Sequence, residues 1–131
     1  MAGTPDRVSR VRDGYLLVAP NGYEFGPDEL IITDLKTGRV DYGALKMAMQ
    51  LAMYSRSKLY DRETGDRIHV KNVNQDWGII MHTPAGQGVT TLYWADLRMG
   101  WSAIAVAKQV REARTMGRRA LIPMEPVGAI V

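Results

Sequence analysis

A short apolar run that leads directly into a long amphipathic segment constrains the fold of this chain most. Residues 29–35 (ELIITDL) are apolar and rich in β-branched side chains, which is typical of a buried strand. The run ends at Lys36-Thr37-Gly38, and Asp41 is well placed to cap a helix over residues 41–60. The apolar face of that helix is predicted to consist of Leu45, Ala48, Met49, Ala52 and Met53. A central strand followed at once by a helix predicts an α/β fold.

The remaining sequence adds strands and a second helix. Residues 77–82 (WGIIMH) and 89–97 (VTTLYWADL) predict two paired strands across a loop that contains Pro and Gly. Turn signals on both sides of residues 15–19 predict a hairpin there. A helix is predicted over residues 101–116, with Gly117 just beyond its end. One face of this helix is apolar and consists of Ala103, Val106, Ala107, Val110 and Ala113.

The predicted organisation is one domain followed by a short tail. Residues 1–117 are expected to form a mixed β-sheet flanked by helices. Residues 118–131 are largely apolar, but Pro and Gly interrupt them, so a regular helix is not expected. We expect this tail to dock on a surface or on another subunit.

The composition excludes several classes of protein and of site. The chain has no cysteine, which removes disulfides, thiolate zinc sites, cysteine-ligated iron–sulfur clusters and cysteine nucleophiles. It has no apolar run of about 20 residues, as a membrane helix requires, and no apolar N-terminal stretch typical of a secretory signal. These features favour a cytoplasmic protein. A net charge of +3 permits nucleic-acid binding without requiring it.

Acidic and basic side chains cluster at the end of the predicted central strand. Asp34 and Lys36 are two residues apart, so in a strand they project from the same face, whereas Leu35 projects from the other. Asp6 lies beside a predicted strand start and supplies a second carboxylate. Carboxylate oxygens are the ligands that Mg²⁺ and Mn²⁺ prefer. The alternative for Asp34 and Lys36 is a solvated ion pair, and Asp6 also suits a turn.

Three successive motifs resemble those of the RecB-like exonucleases, a branch of the PD-(D/E)XK nucleases with phage and actinobacterial members. They are residues 3–8 (GTPDRV), residues 31–38 (IITDLKTG) and residues 50–54 (QLAMY). The resemblance implies a PD-(D/E)XK nuclease-like core that binds Mg²⁺ or Mn²⁺ and hydrolyses DNA. It implies metal ligands at Asp6, at Asp34 and at the backbone carbonyl of Leu35. It also implies a catalytic Lys36, supported by Gln50 and Tyr54.

The resemblance covers the C-terminal nuclease core of that family. Family members carry a helical region with a further acidic or histidine residue ahead of the first aspartate motif, and this chain has only five residues before Asp6. We therefore expect an excised fragment of a nuclease, or a subunit whose site a second chain or another copy completes. The alternative is a catalytically inactive protein that keeps the nuclease fold as a structural or assembly component, for example of a phage particle.

For several further side chains, a structural role is an alternative to a functional one. Gln50 is also consistent with a solvated helix position, and Tyr54 with the edge of the core. His82 ends an apolar strand and is predicted to be packed or hydrogen-bonded. The basic residues near the end of the second helix complement the helix dipole, which we favour over a contact with a DNA backbone. They are Arg111, Arg114, Arg118 and Arg119.

Overall fold

The computed structural model of the chain describes residues 5–124 and contains six strands and two helices within them. The strands are β1 (Arg7–Arg10), β2 (Leu30–Lys36), β3 (Lys58–Tyr60), β4 (Arg67–His69), β5 (Trp77–His82) and β6 (Thr91–Asp96). The helices are α1 (Ala44–Ser55) and α2 (Leu97–Gly117). The fold is therefore α/β, as predicted.

Strand β2 lies inside a four-stranded mixed sheet with the order β1-β2-β5-β6. It pairs antiparallel with β1 and parallel with β5, and β5 pairs antiparallel with β6. A parallel pair needs a long crossover connection, which here contains α1 and the separate β3–β4 ribbon. The prediction of a central strand followed by a helix is thus confirmed, as is the pairing of the strands across residues 83–90.

The alternation of side chains along β2 divides the core into two clusters, one on each face of the sheet. Ile32 faces α1 and α2, in a cluster completed by Leu51, Ala52, Ile80, Ala95 and Leu97. Ile31 faces the other way, in a cluster completed by Ala19, Phe25 and Trp77. Residues 15–25 cover this second face with the predicted hairpin, although only one bridge, between Val18 and Glu24, joins its arms.

Helix α1 is shorter than the predicted helix over residues 41–60. It begins after Gly43 instead of Asp41, and residues 58–60 form β3. Near the C-terminal end, the hydroxyl groups of Ser55 and Ser57 donate hydrogen bonds to helix carbonyls, and this competes with continuation of the helix. The buried face is also shifted from the predicted one, because it consists of Ala48, Leu51, Ala52 and Ser55, and Leu45 is exposed.

Helix α2 begins four residues before the predicted start. The Asp96 side chain accepts hydrogen bonds from the backbone N–H groups of Arg98 and Met99, which is the N-cap arrangement. Leu97 therefore belongs to the helix and is fully buried, although the sequence placed it at the end of a strand.

The face of α2 that packs on the core is different from the apolar face identified in the sequence. Leu97, Gly100 and Ile104 lie against α1 and the sheet. We call the predicted face, with Ala103, Val106, Ala107, Val110 and Ala113, the apolar stripe. Apart from the half-buried Ala103, its residues are exposed, and so is every residue from 105 to 119. The second half of α2 thus extends beyond the core.

The predicted tail lies only partly within the residues that the structure describes. Residues 121–124 have no regular secondary structure, and Leu121, Ile122 and Met124 are exposed. Residues 125–131 lie outside the described range, as do Gly3 and Thr4 of the first motif. Between residues 5 and 124, neither helix combines the length and the apolar composition that a bilayer crossing requires.

The close crossing of α1 and α2 generates a test of the fold. A methyl group added at Gly100 would lie 2.3 Å from the backbone oxygen of Ala48, so Gly100→Ala is expected to force the helices apart. We expect the free energy of unfolding to fall by about 1–3 kcal/mol or more, measured by urea denaturation. Gly117→Ala is the matched control because no atom lies within 4 Å of its added methyl group. Equal stability of the two variants would contradict the crossing.

Candidate functional site

The buried carboxylate of Asp34 forms the centre of the candidate site. Because side chains alternate along β2, Asp34 shares the sheet face of Ile32, the face that α1 and α2 cover. The residue is 4% exposed, in a position where the strand pattern otherwise places apolar side chains. A charged group in such a position is costly to bury unless a partner stabilises it.

Lys36 is the nearest cation to this carboxylate. Its Nζ lies 2.5 Å from Asp34 Oδ2, and its side chain is 29% exposed, so the ammonium group reaches from the solvent edge to the buried acid. At this distance the ammonium group compensates the charge of the carboxylate, and the Asp6 side chain also lies within hydrogen-bonding range of Asp34. The prediction that Asp34 and Lys36 project from one face is confirmed. The alternative of a solvated ion pair is wrong for Asp34, because its carboxylate is buried.

The pairing of β1 with β2 brings Asp6 to the same site. Arg7 pairs with Thr33 in an antiparallel register, so the preceding residue, Asp6, falls opposite Asp34. Asp6 Oδ2 accepts a hydrogen bond of 2.9 Å from the backbone N–H of Leu35. Two carboxylates that are 28 positions apart in the chain are therefore neighbours across a strand pair.

The pKa values of the two acids are shifted in opposite directions. The hydrogen bond from Leu35 N–H, followed by the interaction with Asp34, holds the pKa of Asp6 below its usual value. Burial raises the pKa of Asp34 above its usual value; the contact with Lys36 opposes this shift, and the contact with Asp6 reinforces it. Pairs of acids whose environments separate their pKa values are common at sites that bind a cation or handle protons.

The backbone of Leu35 faces Asp6. In a strand, the N–H and C=O groups of one residue point to the same side, and Leu35 N–H points to the Asp6 carboxylate. The carbonyl of Leu35 therefore points to this side too, whereas the carbonyl of the next residue, Lys36, accepts a hydrogen bond from Thr83 N on the opposite side. The side chain of Leu35 is 48% exposed, as expected for the alternating position.

Gln50 and Tyr54 form a pair of their own on α1. Gln50 Nε2 donates a hydrogen bond of 2.9 Å to Tyr54 Oη, one helical turn away. Tyr54 also packs against the core cluster that contains Ile32. Among the described residues, no hydrogen bond connects this pair to Asp6, Asp34 or Lys36. The structure thus brings three of the sequence-predicted side chains together and leaves Gln50 and Tyr54 as a separate pair on the helix.

His82 has a role at the border of the site that its sequence context only partly predicted. It pairs with Lys36 in the register of β2 and β5, and its Nε2 donates a hydrogen bond of 2.7 Å to the Gly38 carbonyl. The prediction of a hydrogen-bonded histidine is confirmed. The partner was not predictable, because Gly38 is 44 residues away in the chain. This bond fixes the turn that follows Lys36.

The donor set fits a hard cation that retains water. The described residues contain no group of three or more acidic, histidine or cysteine side chains able to hold a metal ion. Asp34 nevertheless is a buried carboxylate, and Asp6 lies beside it. Mg²⁺ usually binds one or two carboxylates and completes its shell with water and substrate phosphates. Asp6, Asp34 and the Leu35 carbonyl therefore suit Mg²⁺ or Mn²⁺ better than a metal that needs several protein ligands.

An apolar cleft opens next to the acids on the same sheet face. Its volume is about 570 Å³, and its walls come from the start of α1, the first turn of α2, β5 and β6. Ile80 lines it and is also the register partner of Asp34 on β5. The cleft thus begins one strand away from the buried carboxylate.

No family model, curated protein or solved structure matches this chain. The likeness to RecB-like exonucleases therefore rests on the sequence motifs.

The opposite pKa shifts predict opposite effects of two matched substitutions. Because the pKa of Asp34 is raised in the folded state, its ionisation costs stability as the pH rises through the folded pKa. We therefore expect Asp34→Asn to unfold at a higher temperature than wild type at pH 7 in EDTA. This advantage is expected to vanish below the unfolded pKa of about 4.

Asp6→Asn is the counterpart. The pKa of Asp6 is lowered, so its charge stabilises the fold above the unfolded pKa, and this stabilisation is lost as the pH falls through the folded pKa. We expect Asp6→Asn to melt below wild type at pH 7 and together with it in strong acid. Melting curves between pH 2 and pH 8 test both signs, and shifts of equal sign would contradict the arrangement.

Proposed function

We propose that this protein is a metal-dependent DNA nuclease of the RecB-like type, or the core of one. Its active site for phosphodiester hydrolysis would consist of Asp6, Asp34 and Lys36. The observation that carries the proposal is the buried Asp34 carboxylate. The carboxylate is buried, and a second acid and a lysine lie against it. Burial of a charge without full compensation is costly to a fold, and it is typical of a site that awaits a ligand.

The carboxylates of Asp6 and Asp34 and the carbonyl of Leu35 would hold Mg²⁺ or Mn²⁺. When bound, such an ion neutralises phosphate charge and lowers the pKa of a coordinated water. The protein itself contributes the geometry. The hydrogen bond from Leu35 N–H orients Asp6, and the pairing of β1 with β2 fixes its separation from Asp34. Reacting groups held in place in this way need less ordering at the moment of reaction.

Lys36 supplies the positive charge that the chemistry requires. Its Nζ lies at the border between the buried acid and the solvent, where a phosphate oxygen or an attacking water would approach. There the ammonium group orients the water or stabilises the charge that develops on the phosphate. The bond between His82 and Gly38 supports this role because it fixes the turn directly after Lys36.

Gln50 and Tyr54 are assigned to the support of the site and of the DNA strand. Their mutual hydrogen bond orients the Tyr54 hydroxyl, and contacts with the core fix its ring. The Gln50 amide retains a further donor and an acceptor for a backbone phosphate or a water.

The proposal predicts DNA cleavage that depends on Mg²⁺ or Mn²⁺ and stops in EDTA. Asp34→Ala is expected to abolish cleavage, and Lys36→Ala to reduce its rate by about 100-fold or more. The measurement is the release of fluorescent fragments from single- and double-stranded DNA. Lys46→Ala is the matched control, since Lys46 is an exposed lysine on α1 and takes part in no salt bridge among residues 5–124.

Metal binding should follow the same residues. Calorimetry with Mn²⁺ is expected to show binding to wild type and to Lys46→Ala but not to Asp34→Ala. The proposal fails if wild type neither binds Mn²⁺ nor cleaves any DNA form.

A second function is favoured by the apolar stripe of α2. Exposed Val106 and Val110 on a helix that extends from the core suit a contact with another protein. In this alternative the chain is a catalytically inactive structural or assembly component with a nuclease-like fold. The wild-type protein would then sediment as a defined oligomer, the double variant Val106→Asp/Val110→Asp as a monomer, and Asp34→Ala like wild type.

A further inference from the structure

The side of α2 that packs on the core in the first half of the helix carries a line of cations in the second half. Helical spacing of three or four residues continues Leu97, Gly100 and Ile104 into Lys108, Arg111, Thr115 and Arg118. Arg114 lies next to Arg111 and Arg118 on the helix surface. We call Lys108, Arg111, Arg114 and Arg118 the basic face. The same side of the helix is therefore apolar where it contacts α1 and positively charged beyond it.

The cations of the basic face lack ion-pair partners in the part of the chain that the structure describes. None of the four takes part in a salt bridge between residues 5 and 124. Residues 105–119 contain five cations and a single acid, Glu112, so this segment carries a net charge of +4, more than the +3 of the whole chain. The helix dipole is complemented by the last turn alone and does not account for Lys108 or Arg111.

We propose that the basic face binds the phosphate backbone of DNA, an inference that rests on the proposed nuclease function and names the surface that holds its substrate. Lys108 and Arg118 are ten residues apart, so the face is about 15 Å long, which equals the rise of roughly four base pairs. Both helices lie on the sheet face that carries Asp34.

The chemistry of α2 favours nucleic acid over the other partners of a basic amphipathic helix. A second copy of the helix would bring two sets of cations together with few acids between them, which costs energy. A membrane-surface helix places large apolar anchors such as Trp, Phe or Leu along its apolar face, whereas the apolar stripe contains only Ala and Val. The exposed Trp101 and Met116 lie outside this stripe, and Arg56 covers the Trp101 ring. Arginines that lack acidic partners match a line of phosphates in charge and in hydrogen-bonding geometry.

The test compares two triple variants of equal charge by fluorescence anisotropy with a duplex oligonucleotide in EDTA. One is Arg111→Gln/Arg114→Gln/Arg118→Gln. The matched control, Arg62→Gln/Arg67→Gln/Lys71→Gln, changes exposed cations on and beside the β3–β4 ribbon. Glutamine and arginine have similar helix propensity, so circular dichroism should show an unchanged helix content.

The expected result is a loss of affinity and of salt dependence in the arginine variant alone. Three lost phosphate contacts lower the slope of log K against log salt by about 2.7. Between about 50 and 200 mM salt, the affinity of wild type and of the control should therefore fall about 40-fold more than that of the variant. Equal behaviour of the two triple variants, or no DNA binding by wild type, would overturn the inference.

Two further measurements separate this inference from its rivals and from the proposed function. The first measures binding to phosphatidylserine vesicles at similar salt. If the arginine variant no longer binds the vesicles but still binds DNA, the basic face belongs to membranes and the proposal is overturned. If DNA binding depends on the arginines but the protein does not cleave DNA in Mn²⁺, the nuclease function is contradicted and the basic face stands. If the protein cleaves DNA but its binding does not depend on the arginines, only the basic face is contradicted.

Discussion

Strand β2 is hydrogen-bonded to a neighbouring strand on each edge and packed against core side chains on each face, and the rest of the molecule is arranged around it. Its pairing with β1 places Asp6 opposite Asp34, and its parallel pairing with β5 requires the crossover that contains α1. Its two faces belong to separate core clusters. The alternation that buries Ile32 under the helices also directs Asp34 inward. A shift of one residue in the register would reverse this pattern and expose the apolar side chains, so packing of the core fixes the geometry of the acids.

The fold therefore tolerates an electrostatic cost at the end of its central strand. An apolar residue in place of Asp34 would suit the surrounding packing better, because the carboxylate is buried and its pKa is raised. Lys36 offsets part of the cost, and Asp6 adds to it. A cation between the two acids would convert this mutual repulsion into shared coordination. The arrangement is thus easier to explain by ligand binding than by stability alone.

The sequence predicted what depends on local pattern and missed what depends on contacts between distant segments. Residues 29–35 contain enough β-branched and apolar side chains to indicate β2, and period two then places Asp34 and Lys36 on one face. The pairing of Asp6 with Leu35 N–H is a contact over 29 residues, which the family likeness suggested but no local pattern contains. The end of α1 was missed because serine hydroxyls compete for its last carbonyls in a segment with strong apolar periodicity.

Helix α2 shows why an apolar periodicity does not by itself identify the buried face. Its stripe of Ala and Val is the more regular pattern, but Gly100 allows the backbone of α1 to approach where any side chain would clash. That close contact, together with buried Leu97, fixes the rotation of the helix at its first turns. This rotation then applies to the whole helix, since an α-helix is rigid over this length. The side that packs at residue 104 consequently carries cations from residue 108 onward, and the stripe is left in solvent.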